Sequence, residues 1–176
     1  LDPLTGLLNH AAARKRMEER LSGHEESKFA FIIFDLDYFK LANDTYGHKF
    51  GDDVLIYIAE TLRSVLRKED LAVRIGGDEF LIILEYHEDI EPVADRIFQI
   101  LKGNYEHFPI SISMGISMTE NNIREYDTLF KRADKALYAA KRGGRGRYVF
   151  YDDMMDNMFS VLSPIEGAEE DKRGLA

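Results

Sequence analysis

Six uninterrupted apolar residues, Phe29-Ala30-Phe31-Ile32-Ile33-Phe34, closed by Asp35, constrain this chain more than any other feature. A membrane helix needs ~20 such residues, and a half-exposed strand would alternate apolar with polar. A run of this length, rich in aromatic and β-branched side chains, predicts a central strand covered on both faces. The rest of the pattern supplies the cover. Asn9 caps a helix over Ala11–Leu21 that Gly23 closes. Val54, Leu55, Ile58, Leu62, Val65 and Leu66 recur at helical spacing up to Arg67, as do Ile90, Val93, Ile97, Ile100 and Leu101. Leu129, Phe130, Ala133, Leu137 and Ala140 mark a further helix, stopped by Gly143-Gly144. Strands are predicted over Leu71–Ile75, Phe80–Leu84, Ile110–Met118 and Arg147–Tyr151. Asp35 to Gly51 reads as a polar loop with a short helical turn. This order predicts an α+β fold, with one mostly antiparallel sheet and helices packed on it.

With 176 residues the chain suits one domain, placed at 1–151. Residues 152–176 are acidic and carry Gly and Pro; they read as a tail or linker, with Met154 to Leu162 able to form a helical turn or two. The absence of cysteine excludes a disulfide scaffold and thiolate metal sites. A net charge of −9 excludes a nucleic-acid-binding surface, and any phosphate chemistry must rest on local cations or a bound metal. No segment is apolar enough to span a membrane, and no secretory leader opens the chain. It begins Leu1-Asp2-Pro3 without an initiator Met, which reads as an excised fragment of a cytoplasmic protein.

Chemistry concentrates at two places. Asp35 and Asp37 end the apolar strand, and a period of two puts them on one face and Leu36 on the other. Gly76-Gly77-Asp78-Glu79 forms a tight turn between two apolar strands and adds two more acids. If that hairpin flanks the central strand, Asp35 and Asp78 converge. With a backbone carbonyl such as that of Leu36, they would hold one or two divalent ions, Mg²⁺ or Mn²⁺.

These residues resemble the GGDEF domains, the diguanylate cyclase family, from Asp2 to about Tyr151. The resemblance rests on the opening turn Asp2-Pro3-Leu4-Thr5-Gly6-Leu7, the segment Asp35-Leu36-Asp37-Tyr38-Phe39-Lys40, and the pairs Asn43-Asp44, Gly47-His48 and Gly51-Asp52. It is completed by the signature Gly76-Gly77-Asp78-Glu79-Phe80 and by Ala139-Ala140-Lys141 through Arg145. The family implies a palm-like domain similar to class III nucleotidyl cyclases, which joins two GTP into cyclic di-GMP and releases two pyrophosphates. Two copies of the domain face each other as an antiparallel homodimer. Carried onto this chain, Asp35, Asp78 and the Leu36 carbonyl hold the metal, and Glu79 completes its shell or acts as general base. Asp37 is supporting. Backbone amides around Tyr38, Phe39 and Lys40, with Lys141 and Arg145, hold phosphates, and His48 is a lesser nucleotide contact. Asn43 and Asp52 read guanine. Arg67 and Asp70, in Arg67-Lys68-Glu69-Asp70, form the product-inhibition site with Arg96. His10 and Gly146 stand where the family often has Arg and Asn.

Each motif also has a plainer reading. Strand-end acids are commonly solvated, Asn43 and Asp52 suit turns and caps, and Lys141 and Arg145 favour a helix dipole. Arg67 to Asp70 suits a charged helix end. The rival functions are a regulatory module that binds GTP or cyclic di-GMP with weak or no turnover, and a pure oligomerisation domain. An upstream sensor or dimerisation element is expected outside this chain.

Overall fold

A computed structural model describes residues 1–23 and 25–161. Five strands form the main sheet, in the order β2-β3-β1-β6-β7. β1 (Lys28–Leu36) is central and runs antiparallel to both β3 (Glu79–Tyr86) and β6 (Ile112–Met118). β2 (Leu71–Gly76) flanks β3 antiparallel, while β7 (Tyr148–Phe150) joins β6 parallel. The mostly antiparallel α+β layout expected from the sequence is therefore present.

Strand alternation divides the core in two. Ala30, Ile32, Phe34, Phe80, Ile82 and Leu84 face α3 (His48–Val65) and α4 (Glu91–Leu101). Phe29, Phe31, Ile33, Leu81 and Ile83 face α1 (His10–Gly23) and α5 (Tyr126–Arg142). Asp35 on β1 and Glu79 on β3 have odd-numbered parity, so both belong to the α5 side. α5 approaches β6 closely at Gly115: a Cβ there would stand 2.1 Å from the Leu137 backbone nitrogen and 2.2 Å from the Ala133 carbonyl oxygen. Backbone cannot yield to that overlap, so Gly115→Ala is expected to cost about 3 kcal/mol or more, lowering Tm by roughly 10 °C in a thermal melt.

The structure departs from the sequence reading in two stretches. Residues 39–46 form a helix, α2 (Phe39–Tyr46), and α3 begins at His48, where a loop with one helical turn was expected. A small hairpin, β4 (Gly103–Tyr105) with β5 (Phe108–Ile110), lies between α4 and β6. Tyr105 and Phe108 pack on Phe50, and Tyr105 also on Tyr57, so the hairpin props the α3 flank. After β7, α6 (Met154–Val161) realises the short helix allowed for the tail, while residues 162–176 lie outside the described residues. Among the described residues no helix is long and apolar enough to cross a membrane.

Candidate active site

The end of β1 collects four acids. Asp35 and Glu79 are direct cross-strand partners on β1 and β3. Asp78 occupies the β2–β3 turn beside Glu79, and Asp37 follows β1 by one residue. Asp35, Asp37 and Asp78 are all buried. Like charges opposite one another on adjacent strands repel, and burial strengthens the repulsion. Burial, then the charges of Asp78 and Asp37, push the Asp35 carboxyl up to about 7, although Lys141 pulls the other way. Burial, followed by Asp134 and Asp35, likewise pushes Glu79 up to about 7. Lys141, in the last turn of α5, places its ammonium 2.6 Å from Asp35 Oδ2. Asp35 Oδ1 is buried without a hydrogen-bond donor.

That orphaned oxygen is the place where the site asks for a cation. Among the described residues no group of three or more His, Cys, Asp or Glu forms a ready metal cage. Mg²⁺ does not require one, because it commonly takes one or two carboxylates and completes its shell with water and substrate phosphate. The donor set thus fits an ion whose shell is completed by water and, with substrate, by phosphate.

The signature turn is held from outside. Gly77 adopts φ +53°, a conformation that glycine takes without penalty, whereas Gly76 does not need it. The Arg74 guanidinium donates to the Gly77 carbonyl through Nε (3.0 Å) and Nη2 (2.9 Å), and through Nη1 to both Asp2 oxygens (3.2 Å). Asp2 also accepts the Thr5 amide and hydroxyl. Burial opposes its charge, but Thr5 and Arg74 outweigh that and hold the Asp2 carboxyl below its ordinary value. The opening turn and the acidic hairpin therefore form one mechanical unit, a link that the sequence reading lacked.

The start of α2 follows Asp35 and Asp37 directly in the chain. Tyr38 takes the left-handed conformation, φ 60°, and starts α2 without any side-chain cap. The first amides of α2, at Phe39 and Lys40, are thus left for an anion. Arg145 lies over the Tyr38 ring, 5.6 Å from its centroid. Lys40 and His48 are exposed. Lys141, expected at phosphate, is here paired with Asp35.

Asn43, on α2, buries an Oδ1 that has no donor, and a Cβ at position 51 would stand 1.7 Å from it. Only glycine at 51 lets Asn43 lie against α3. Asp52 follows immediately on α3 and is exposed, not buried as base reading would leave it.

Arg67, Asp70 and Arg96 share a separate cleft of ≈ 550 Å³ with Glu85, Tyr86 and Val93. Asp70 caps the turn by accepting the Arg67 amide at 2.8 Å, and the Arg67 guanidinium reaches the Glu85 carbonyl at 2.7 Å. This cleft adjoins the Tyr86 end of β3 while the acids occupy the Glu79 end, a separation of roughly 25 Å along the strand. His10 stacks on Phe130 at 4.7 Å, on the α1–α5 face. Gly146 donates its amide to Asp37 Oδ2 at 3.0 Å.

The sheet, its two helical layers and the acid-tipped central strand define a palm-like α+β domain. The family model described as diguanylate cyclase, GGDEF domain, matches residues 1–147, and the chain belongs to that family. It is 34% identical over 163 residues, 88% of its length, to the bifunctional diguanylate cyclase/cyclic di-GMP phosphodiesterase MucR of Pseudomonas aeruginosa, but spans only 24% of that protein. Its fold matches the solved GGDEF domain of PA1120 (TpbB or YfiN) from P. aeruginosa with a TM-score of 0.83 and 31% identity, covering 90% of this chain and 98% of that one. The GGDEF domain of DgcB from Caulobacter crescentus, solved in complex with c-di-GMP, matches with a TM-score of 0.75 and 31% identity, over 85% of this chain and 94% of that one.

Proposed function

We propose that this domain condenses two GTP molecules into cyclic di-GMP with release of two pyrophosphates. The observation that carries the reading is the acidic set of buried Asp35 and Asp78 with half-buried Glu79, beside an uncapped helix start. Asp35, Asp78 and the Leu36 carbonyl are the residues that would hold Mg²⁺ or Mn²⁺. When bound, such an ion neutralises charge developing on the α-phosphoryl group and the departing pyrophosphate. The amides of Phe39 and Lys40, with Arg145, bind the β- and γ-phosphates. Lys141, which pairs with Asp35 in the free domain, would turn to the phosphates of bound GTP. Glu79, held to about 7, exchanges a proton at neutral pH and suits the deprotonation of a ribose 3′-hydroxyl.

In the reaction each 3′-oxygen bonds to the α-phosphorus held by the partner domain, the bond to pyrophosphate breaks, and the hydroxyl proton passes to base. One domain therefore carries half of a catalytic site, and turnover requires a second copy. Asn43 and Asp52 select guanine: its adjacent N1–H and N2–H donors match a carboxylate, whereas adenine offers no such pair. Asp52, exposed in the free domain, becomes covered when the base arrives.

The test is turnover of GTP with Mg²⁺ across a range of protein concentration, with product identified by mass spectrometry. Second-order dependence on protein supports the two-domain mechanism. GTP binding without product at any concentration supports a regulatory binding module instead, and ATP competing as well as GTP removes the base assignment.

The cleft at Arg67, Asp70 and Arg96 is the proposed inhibitory site for product, with Arg67 and Arg96 on phosphate or guanine edges and Asp70 on guanine N–H groups. Arg67→Ala is expected to raise the cyclic di-GMP concentration for half-inhibition about tenfold or more while leaving initial turnover unchanged. Inhibition curves of both proteins measured side by side check this; coincident curves count against the site.

A further inference from the structure

Asp37 has no role in the chemistry above, yet it is a heavily bonded acid. Its side chain is fully buried. Oδ1 accepts the Ser113 hydroxyl at 2.6 Å and lies 3.8 Å from Arg145 Nη1. Oδ2 accepts the Ser111 hydroxyl at 2.6 Å and the Gly146 amide at 3.0 Å. The Asp37 amide in turn donates to the Ser111 carbonyl at 2.8 Å. One carboxylate thus ties together the end of β1, the start of β6 and the loop after α5. A buried carboxylate is costly unless such donors compensate it, and an apolar side chain would fill the same space without that need. The arrangement therefore serves placement more than stability.

What it places is Arg145. Gly144, Arg145 and Gly146 all have positive φ, at +116°, +64° and +57°. For arginine that conformation costs on the order of 1–2 kcal/mol and persists only where its surroundings impose it. The loop is held on its helix side by the Arg145 amide donating to the Ala140 carbonyl (3.0 Å) and the Gly144 amide donating to the Lys141 carbonyl (3.3 Å), and on its sheet side by the Gly146 amide donating to Asp37 and the Met114 amide donating to the Arg147 carbonyl (3.0 Å). Released from Asp37, the loop keeps its helix-side bonds and the Arg147 anchor on β6 but loses the one that fixes Gly146, and the neighbouring guanidinium is no longer steered over Tyr38.

We propose that Asp37 is a positioning residue for triphosphate binding, fastening the Arg145 loop to the sheet so that the guanidinium faces the start of α2. The inference deepens the GTP reading and rests on it for its ligand. Two variants separate its parts. Gly146 N–H can only donate, so an amide at position 37 must turn its oxygen toward Gly146 and its NH₂ toward Ser113 and Arg145. Asp37→Asn therefore keeps the loop tie and loses the arginine, whereas Asp37→Ala loses both.

The experiment measures calorimetric affinity for 3′-deoxy-GTP with Mg²⁺, which cannot condense, and for guanosine, which lacks phosphates. Amide hydrogen exchange at Gly146 and thermal melts accompany it. Asp37→Asn is expected to weaken 3′-deoxy-GTP about tenfold, leave guanosine unchanged and retain Gly146 protection. Asp37→Ala is expected to expose the Gly146 amide as well. Adding Asp37→Asn to Arg145→Ala should produce no further loss, because both act through one guanidinium. Equal losses for guanosine and triphosphate, or additive losses in the double variant, overturn the proposal. If the unaltered chain binds neither ligand the GTP reading fails, and unchanged Gly146 exchange in Asp37→Ala then rejects the loop tie on its own. If Asp37→Ala does not fold, the Asp37→Asn and Arg145→Ala cycle decides.

Discussion

Asp78→Ala is expected to lower GTP turnover by ~10³ or more without destabilising the metal-free protein. The two halves of this result come from the same charge. Asp78 sits at the turn where three acids already crowd, and its field helps hold the Asp35 and Glu79 protons in place. Its removal relieves that repulsion, so Tm should hold or rise. It also removes one of the two side chains that would hold a divalent ion, and with it the charge such an ion would supply at the α-phosphoryl group. A loss of activity by unfolding would instead lower Tm. Single-turnover product formation read by mass spectrometry, beside a thermal melt of the same sample, distinguishes these. Near-normal turnover in Asp78→Ala would remove the hairpin from the mechanism.

Much of this site was legible because strands have a period of two. The apolar run of β1 announced a strand buried on both faces, and its register then dictated which face Asp35 takes. Once β3 lies beside β1, the parity of Phe80 to Leu84 turns Glu79 to the same face. α2 was not legible, for its residues bury only Ala42 and so carry no apolar stripe; it is started by Tyr38 in a left-handed conformation that no cap motif signals. The β4–β5 hairpin hid for a related reason: its turn uses Glu106 at φ 53° where a hairpin signal would show glycine or asparagine. Asp37 lies furthest from what the sequence reveals. Its donors Ser111, Ser113 and Gly146 are 74 to 109 residues away, and only the Ser-apolar alternation of β6 hints that polar groups line one side of that strand. Lys141 was read as a phosphate or dipole partner because its place at a helix end is visible, whereas the passage of that helix end over Asp35 is a tertiary fact.

The pH dependence of stability gives the sharpest view of the acids as an ion site. Asp35 and Glu79 stand directly opposed, both pushed up to about 7, with burial the leading cause in each. An acid whose pKa is higher folded than unfolded binds protons more readily in the native state. Between the ordinary carboxylate range near 4 and about 7, the folded chain therefore holds more protons than the unfolded one. Stability must fall as pH rises through that window, and the penalty is complete above it. A divalent ion held by these carboxylates would act in the opposite sense, because it would bind their ionised form and have to displace protons below 7. Without metal, these two groups are expected to make the protein more stable at pH 5.5 than at pH 8, by several degrees in Tm. Millimolar Mg²⁺ should raise Tm at pH 8 and do little at pH 5.5, with its affinity falling by up to ~100-fold per pH unit where both sites are protonated. Asp35→Asn supplies the control, since it removes one titrating group and one ligand together and should flatten both effects. Thermal melts over pH 5 to 8, with and without Mg²⁺, decide the matter: a Mg²⁺ shift of equal size at both ends would mean that the ion binds elsewhere. The burial and like-charge crowding that weaken the free domain near neutrality also ready it for a cation.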